Sequence, residues 1–132
     1  IVAQYHEGLK QIDIRPNTAV IVATRGHRED DLALEAAAFS PAGYVGLVGS
    51  KRKAILIYEE LLKNGVSLDR IKAIHSPIGL DIGAKTPEEI AVSIMSEIVA
   101  FRAGRPGKSL TLEDRYVRKL AKKVADSLVT SG

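Results

Sequence analysis

Cysteine is absent from this 132-residue chain. Its own chemistry therefore includes no disulfide scaffold, zinc knuckle, iron–sulfur ligation, cysteine nucleophile or sulfur carrier. Tryptophan is also absent, and aromatic residues make up only 5% of the chain. No uninterrupted apolar run is longer than that at Ala19–Ala23, which falls far short of the roughly 20 residues a spanning helix needs. The N-terminus has no charged segment followed by an apolar run, so no secretory signal or membrane contact is expected. Neither G-x-G-x-x-G nor G-x-x-x-x-G-K-[ST] occurs, so the residues alone support no dinucleotide or P-loop assignment.

What is present has the balance of one ordinary globular domain: 45% hydrophobic and 27% charged residues, with a formal net charge of +3. That excess of positive charge tolerates a phosphate-bearing partner without demanding one. A cysteine-free chain of this kind fits a cytoplasmic setting.

Along the chain, Val2, Tyr5, Leu9 and Ile12 recur at helical spacing and predict a short opening helix. Ala19–Ala23 and Tyr44–Val48 are short, β-branched apolar runs that read as strands buried on both faces. Helices are expected over 29–39 and 51–64, the second ending at Gly65 in a left-handed cap. A third strand is expected over Ile71–His75. Thr86-Pro87-Glu88-Glu89 is a capping box opening a helix to about Ala103. A last helix over about 112–128 would turn Val117, Leu120, Val124 and Leu128 inward. Its basic stripe, interrupted by Glu113, Asp114 and Asp126, reads as a solvated face rather than a nucleic-acid surface.

Alternating strands and helices predict an α/β, Rossmann-like fold, a mainly parallel sheet with helices on both faces. Three strands are few for such a sheet, which usually has about five or six. The numbering also opens at Ile1 without an initiator methionine. The expectation is a partial Rossmann-like domain over 1–103 that lacks its first β–α units, with upstream sequence or a second copy completing it. Residues 104–132 would form a linker and an amphipathic helix packing on the domain or on a second copy.

Ligands of open α/β sheets bind beyond the carboxyl ends of the strands. Three loops meet that description. The first is Thr24-Arg25-Gly26-His27 with Asp30 and Asp31; the second is Gly49-Ser50-Lys51-Arg52-Lys53; the third runs from His75 to Gly83. At Gly49–Arg52, a glycine lets an anion approach the backbone, Ser50 occupies the N-cap position, and Lys51 and Arg52 bring charge. An ordinary serine-capped turn with solvated lysines accounts for the same residues. His27 and Asp31 could pair as acid and base or hold a metal, but capping and solvent-facing roles explain them as well, and Asp30 suits the helix dipole. His75 reads as a structural hydrogen-bonding partner at a strand end. Gly79, Asp81 and Gly83 form a loop anchored by Ile78, Leu80 and Ile82, with Asp81 free to meet a ligand hydroxyl or to cap a turn. No arrangement supports a catalytic triad, and no catalytic residue or metal ligand is assigned.

Taken in order, these segments resemble the C-terminal Rossmann domain of the XdhC/CoxF family, the xanthine dehydrogenase accessory factors. The resemblance rests on Thr24-Arg25-Gly26-His27 with Asp31, on Gly43 to Lys53, and on His75 to Gly83 running into Thr86-Pro87-Glu88-Glu89-Ile90-Ala91 and Ser93-Ile94. It implies a maturation chaperone, without turnover of its own, that binds the molybdenum cofactor (molybdopterin) during sulfuration and delivers it to a molybdenum hydroxylase. Its cofactor-binding residues would be Thr24, Arg25, Gly26, His27, Gly49, Ser50, Lys51, Arg52, Gly79, Asp81 and Gly83. Family members also carry an opening glycine turn with a Gly-x-Gly-His element and an N-terminal domain with a cysteine-bearing motif, and these residues contain neither. Contact with a cysteine desulfurase would accordingly fall to that other part, and a homo-oligomer is expected. Two further readings stand beside it: a nicotinamide (NAD or NADP) oxidoreductase domain, and a non-catalytic assembly module.

Overall fold

The computed structural model describes residues 5–24 and 27–130, with Tyr5, His6, His27 and Arg28 described by backbone alone. Three strands, β1 (Ala19–Val22), β2 (Tyr44–Leu47) and β3 (Ile74–His75), form one parallel sheet in the order β1-β2-β3. The register sets Val20 beside Val45 and Val22 beside Leu47, then Val45 beside Ile74 and Gly46 beside His75. Two bonds extend it past the strand ends, Val48 N–H to Val22 O at 2.9 Å and Ile78 N–H to Leu47 O at 3.0 Å.

Because side chains alternate along a strand, Val45, Leu47, Val22 and Ile74 share one face. Helices α2 (His27–Phe39) and α3 (Lys51–Lys63) cover that face. They contribute Ala33, Leu34, Ala37 and Ala38 from α2, and Ile57 and Leu61 from α3. The alanines on α2 let it lie close against the sheet. Preceding it, α1 (Tyr5–Gly8) and a 3-10 turn over Leu9–Gln11 pack on α2; the start of the predicted opening helix, residues 1–4, lies outside the described residues.

The opposite face carries Tyr44, Gly46 and His75, and α5 (Pro87–Ala103) lies across it. Helices therefore flank the sheet on both sides, as expected. The capping box is present: Glu89 N–H donates to Thr86 Oγ1 at 3.1 Å and Thr86 N–H to Glu89 Oε1 at 3.0 Å. Thr86 N–H and Lys85 N–H, the latter also donating to Glu89 Oε1 at 3.0 Å, hold the Glu89 carboxyl below its usual range. Gly65, at φ 93°, ends α3 in the left-handed conformation that residues with a Cβ avoid.

Three expectations change. β1 is not buried on both faces: Ile21 is 41% exposed, because α5 covers the sheet over β2 and β3 but not over β1. The predicted strand over Ile71–His75 is divided: Ile71 and Lys72 end helix α4 (Leu68–Lys72), Ala73 caps it, and only Ile74–His75 lie in the sheet. Ser67 starts α4 by accepting from Arg70 N–H at 3.2 Å, and the Arg70 guanidinium then donates to Ala38 O at 2.8 Å, Ala42 O at 2.9 Å and Ser40 O at 3.1 Å. Carbonyls left over at the α2 terminus and the turn after it thus find a donor from 30 residues downstream, something no local pattern reveals. Finally, α6 (Asp114–Thr130) is helical as predicted but does not turn its apolar stripe inward; none of its residues is buried.

Leu47, fully buried on the central strand, should lose about 2–5 kcal/mol of stability on truncation to alanine. Leu110, wholly exposed in the linker before α6, should change by less than about 0.5 kcal/mol. Urea unfolding of Leu47→Ala and Leu110→Ala checks both, and equal effects would contradict this core.

Candidate functional site

Parallel strands send all three loops identified in the sequence to the same end of the sheet. Two of them are joined by one carboxylate. Asp30, in the first turn of α2, is 0% exposed. Its Oδ1 accepts from Thr24 N–H at 3.2 Å and from the Thr24 hydroxyl, while its Oδ2 pairs with Lys53 Nζ. The end of β1 is thereby tied through α2 to the first turn of α3. Burying a carboxylate is costly unless charge and hydrogen bonds compensate it, and here one cation and two donors do so.

The same ion pair organises the turn after β2. Ser50 is the N-cap of α3, its hydroxyl accepting from Lys53 N–H at 3.2 Å. A Cβ at Gly49 would lie 3.1 Å from Lys53 Cδ, so the small residue makes room for the lysine stem on that side. Lys51 and Arg52 stay exposed. As the first residues of a 13-residue helix, their N–H groups have no acceptor within the helix. With Lys53 neutralised by Asp30, the positive charge offered at this turn comes from Lys51 and Arg52.

The third loop is anchored to α5. Ser93, buried on α5, donates its hydroxyl to Leu80 O at 2.5 Å, and Leu80 N–H returns a bond to Ser93 O at 3.2 Å. Gly79 has φ 106°, and a Cβ there would fall 2.3 Å from Ser93 Oγ, so conformation and space both require glycine. Gly83 adopts φ 70° in open space. Pro77 to Ala84, with Ile90 and Ser93, line a cleft of about 370 Å³. Asp81 stands at its edge, exposed; Gly49–Arg52 are not among its lining residues. Of the predicted site residues, Thr24 is thus linked to the Gly49–Arg52 turn, and Gly79, Asp81 and Gly83 form a separate rim. Arg25 and Gly26 lie outside the described residues, as does the His27 side chain.

Beneath the third loop, the Tyr44 hydroxyl donates to Glu97 Oε1 at 2.6 Å, and His75 Nδ1 lies 3.1 Å from the same oxygen. The Tyr44 and His75 rings stack at 4.3 Å, with Phe101 edge-on to both. Burial, and then the Glu97 carboxylate, push the Tyr44 phenol far above its ordinary value near 10. Sequence reasoning missed the parts played by Asp30, Lys53, Ser93 and Glu97. For Asp30 the local signal, an acid in a first turn, pointed to the dipole; Thr24 and Lys53 meet it only across the fold.

Residues 2–98 match the family described as the XdhC Rossmann domain. The chain is 37% identical over 99 residues to the uncharacterized protein YqeB of Escherichia coli (strain K12), covering 75% of this chain and 18% of that protein. It is 33% identical over 94 residues to a protein of Bacillus subtilis (strain 168) named as a probable xanthine dehydrogenase subunit, covering 71% of this chain and 26% of that protein. A crystal structure from Bacillus halodurans, described as a xanthine dehydrogenase, superposes with a TM-score of 0.64 at 31% identity, covering 79% of this chain and 30% of that one. The chain therefore spans less than a third of each of these relatives.

Two outcomes test this geometry. Lys53→Met, which leaves Asp30 without its cation, should cost about 3 kcal/mol, and replacing both as Asp30→Leu/Lys53→Met should recover part of it; urea unfolding that finds no loss for the single variant would show that the pair is idle. Tyr44 has a folded pKa above its unfolded value, so its contribution is full below pH 10 and is lost as pH rises beyond it. Unfolding free energies at about pH 9 and about pH 11 should therefore fall more steeply for the parent chain than for Tyr44→Phe.

Proposed function

The chain belongs to the XdhC family as its Rossmann domain, and from that premise we propose that it is a cofactor-binding accessory domain for a molybdenum hydroxylase of the xanthine dehydrogenase type. Its cargo in this reading is the molybdenum cofactor, held for sulfuration and insertion rather than turned over. The observation that carries the proposal is the turn at Gly49–Arg52, held in place by the buried Thr24–Asp30–Lys53 link.

The donor set suits the phosphate of a molybdopterin. The N–H groups of Lys51 and Arg52 and their two cationic side chains belong to a turn that is held rigid, and the negative charge of Asp30 is already balanced by Lys53. A carboxylate at the cleft edge, Asp81, can accept from the N–H groups of a pterin ring, while Gly79 and Gly83 shape that cleft. Thr24, Arg25, Gly26 and His27 complete the set of cofactor-binding residues in this reading. The molybdenum centre supplies the chemistry in the client enzyme; these residues bind and orient the cargo. A cysteine desulfurase would act through another part of such a protein, because this chain has no cysteine.

Replacing both Lys51 and Arg52 by alanine should weaken cofactor binding at least about tenfold without altering the unfolding midpoint, since both side chains are exposed. Titration with molybdenum cofactor released from a purified hydroxylase, followed by pterin fluorescence, measures this. Equal affinity of the double variant and the parent would remove the proposed site.

A further inference from the structure

Two helices of equal length leave apolar stripes uncovered. On α5, the face turned away from the sheet carries Val92, Met95 and Val99, exposed by 58%, 55% and 58%, beside the small residues Ala91, Ser96, Ala100 and Ala103. On α6, Val117, Leu120 and Val124 are exposed by 50%, 54% and 58%, while Arg118, Lys119, Lys122 and Lys123 occupy other positions around the helix. Both stripes follow a spacing of three and then four residues, the seam along which helices pack. Each helix has 17 residues. Laid antiparallel, they set Val92 opposite Val124, Met95 opposite Leu120 and Val99 opposite Val117.

Charge selects that direction. The antiparallel arrangement brings the acidic start of α6, Glu113 and Asp114, to the basic exit of α5 at Arg102 and Arg105. A parallel one would place Glu113 and Asp114 beside Glu88 and Glu89.

A hairpin within one chain would need Asp114 to start beside Ala103. The linker has instead turned back: a Cβ at Gly107 would lie 2.9 Å from Leu80 Cδ1, and Leu80 is bonded to Ser93, near the middle of α5. We propose that α6 is an exchanged arm: α6 of each copy lies antiparallel in the α5 groove of a second copy, giving a two-fold dimer. Two such contacts bury on the order of 1,000 Å² of mainly apolar surface, the area a specific interface requires.

A cysteine-free chain makes the test direct. Val99→Cys and Val117→Cys are prepared as separate full-length chains, mixed and mildly oxidised. The expected product is a disulfide-linked pair containing one chain of each kind, with little linkage in either variant alone. Native mass spectrometry should show a dimer for the parent chain, and a single chain for Leu120→Asp/Val124→Asp whose core unfolding transition is unchanged. A parent mass of one chain, a Val99→Cys/Val117→Cys double variant that closes only within itself, or linkage of Val117→Cys to its own kind would each overturn the proposal.

Discussion

One buried carboxylate sets the geometry on which the carboxyl end of this sheet depends. Asp30 has no exposure to water, so its charge must be answered inside the protein, and Thr24 and Lys53 answer it from two different loops. The stem of Lys53 lies over Gly49, and its amide is held by Ser50, so the same residue fixes the turn that opens α3. Neutralising Lys53 leaves Lys51 and Arg52 as the cations presented outward. Packing and electrostatics cannot be separated here: the interaction that stabilises the loop end also decides which charges a ligand meets.

The opposite face of the sheet is governed by α5. Tyr44 and His75 converge on one oxygen of Glu97, and Ser93 exchanges two hydrogen bonds with Leu80 over a glycine that admits no side chain. These contacts place the His75–Gly83 loop at the carboxyl end of the strands without using its exposed residues, Pro77, Asp81, Ile82 and Gly83. What remains outward on α5 is an apolar strip, matched in length and spacing by α6.

Much of the fold was legible from local patterns. The apolar runs at Ala19–Val22 and Tyr44–Leu47, the serine before Lys51, Gly65 after α3 and the Thr86–Glu89 box all lie where short-range chemistry places them. Errors fell where distant partners decide. Ile71 to His75 read as a strand, yet its first two residues end a helix begun at Leu68, whose Arg70 reaches carbonyls at the end of α2. Ile21 read as buried, yet the covering helix stops over the neighbouring strands. The inward stripe predicted for α6 has the correct period but is not buried among the described residues, since periodicity reports that a face is apolar and not what it meets.

The residues by themselves determined the α/β class, the order of the elements other than α4, the caps at Ser50, Gly65 and Thr86, and the three loops that follow the strands, because each follows from spacing and conformational preference within a few positions. Only the tertiary structure decided that Asp30 is a buried bridge rather than a dipole partner, that Lys53 is spent internally while Lys51 and Arg52 are not, and that Gly49 and Gly79 make room for Lys53 and Ser93. The physical reason is common to all three. Burial and the compensation of a charge depend on which atoms the completed fold brings within a few ångströms, and that proximity is not written in any local stretch of the chain.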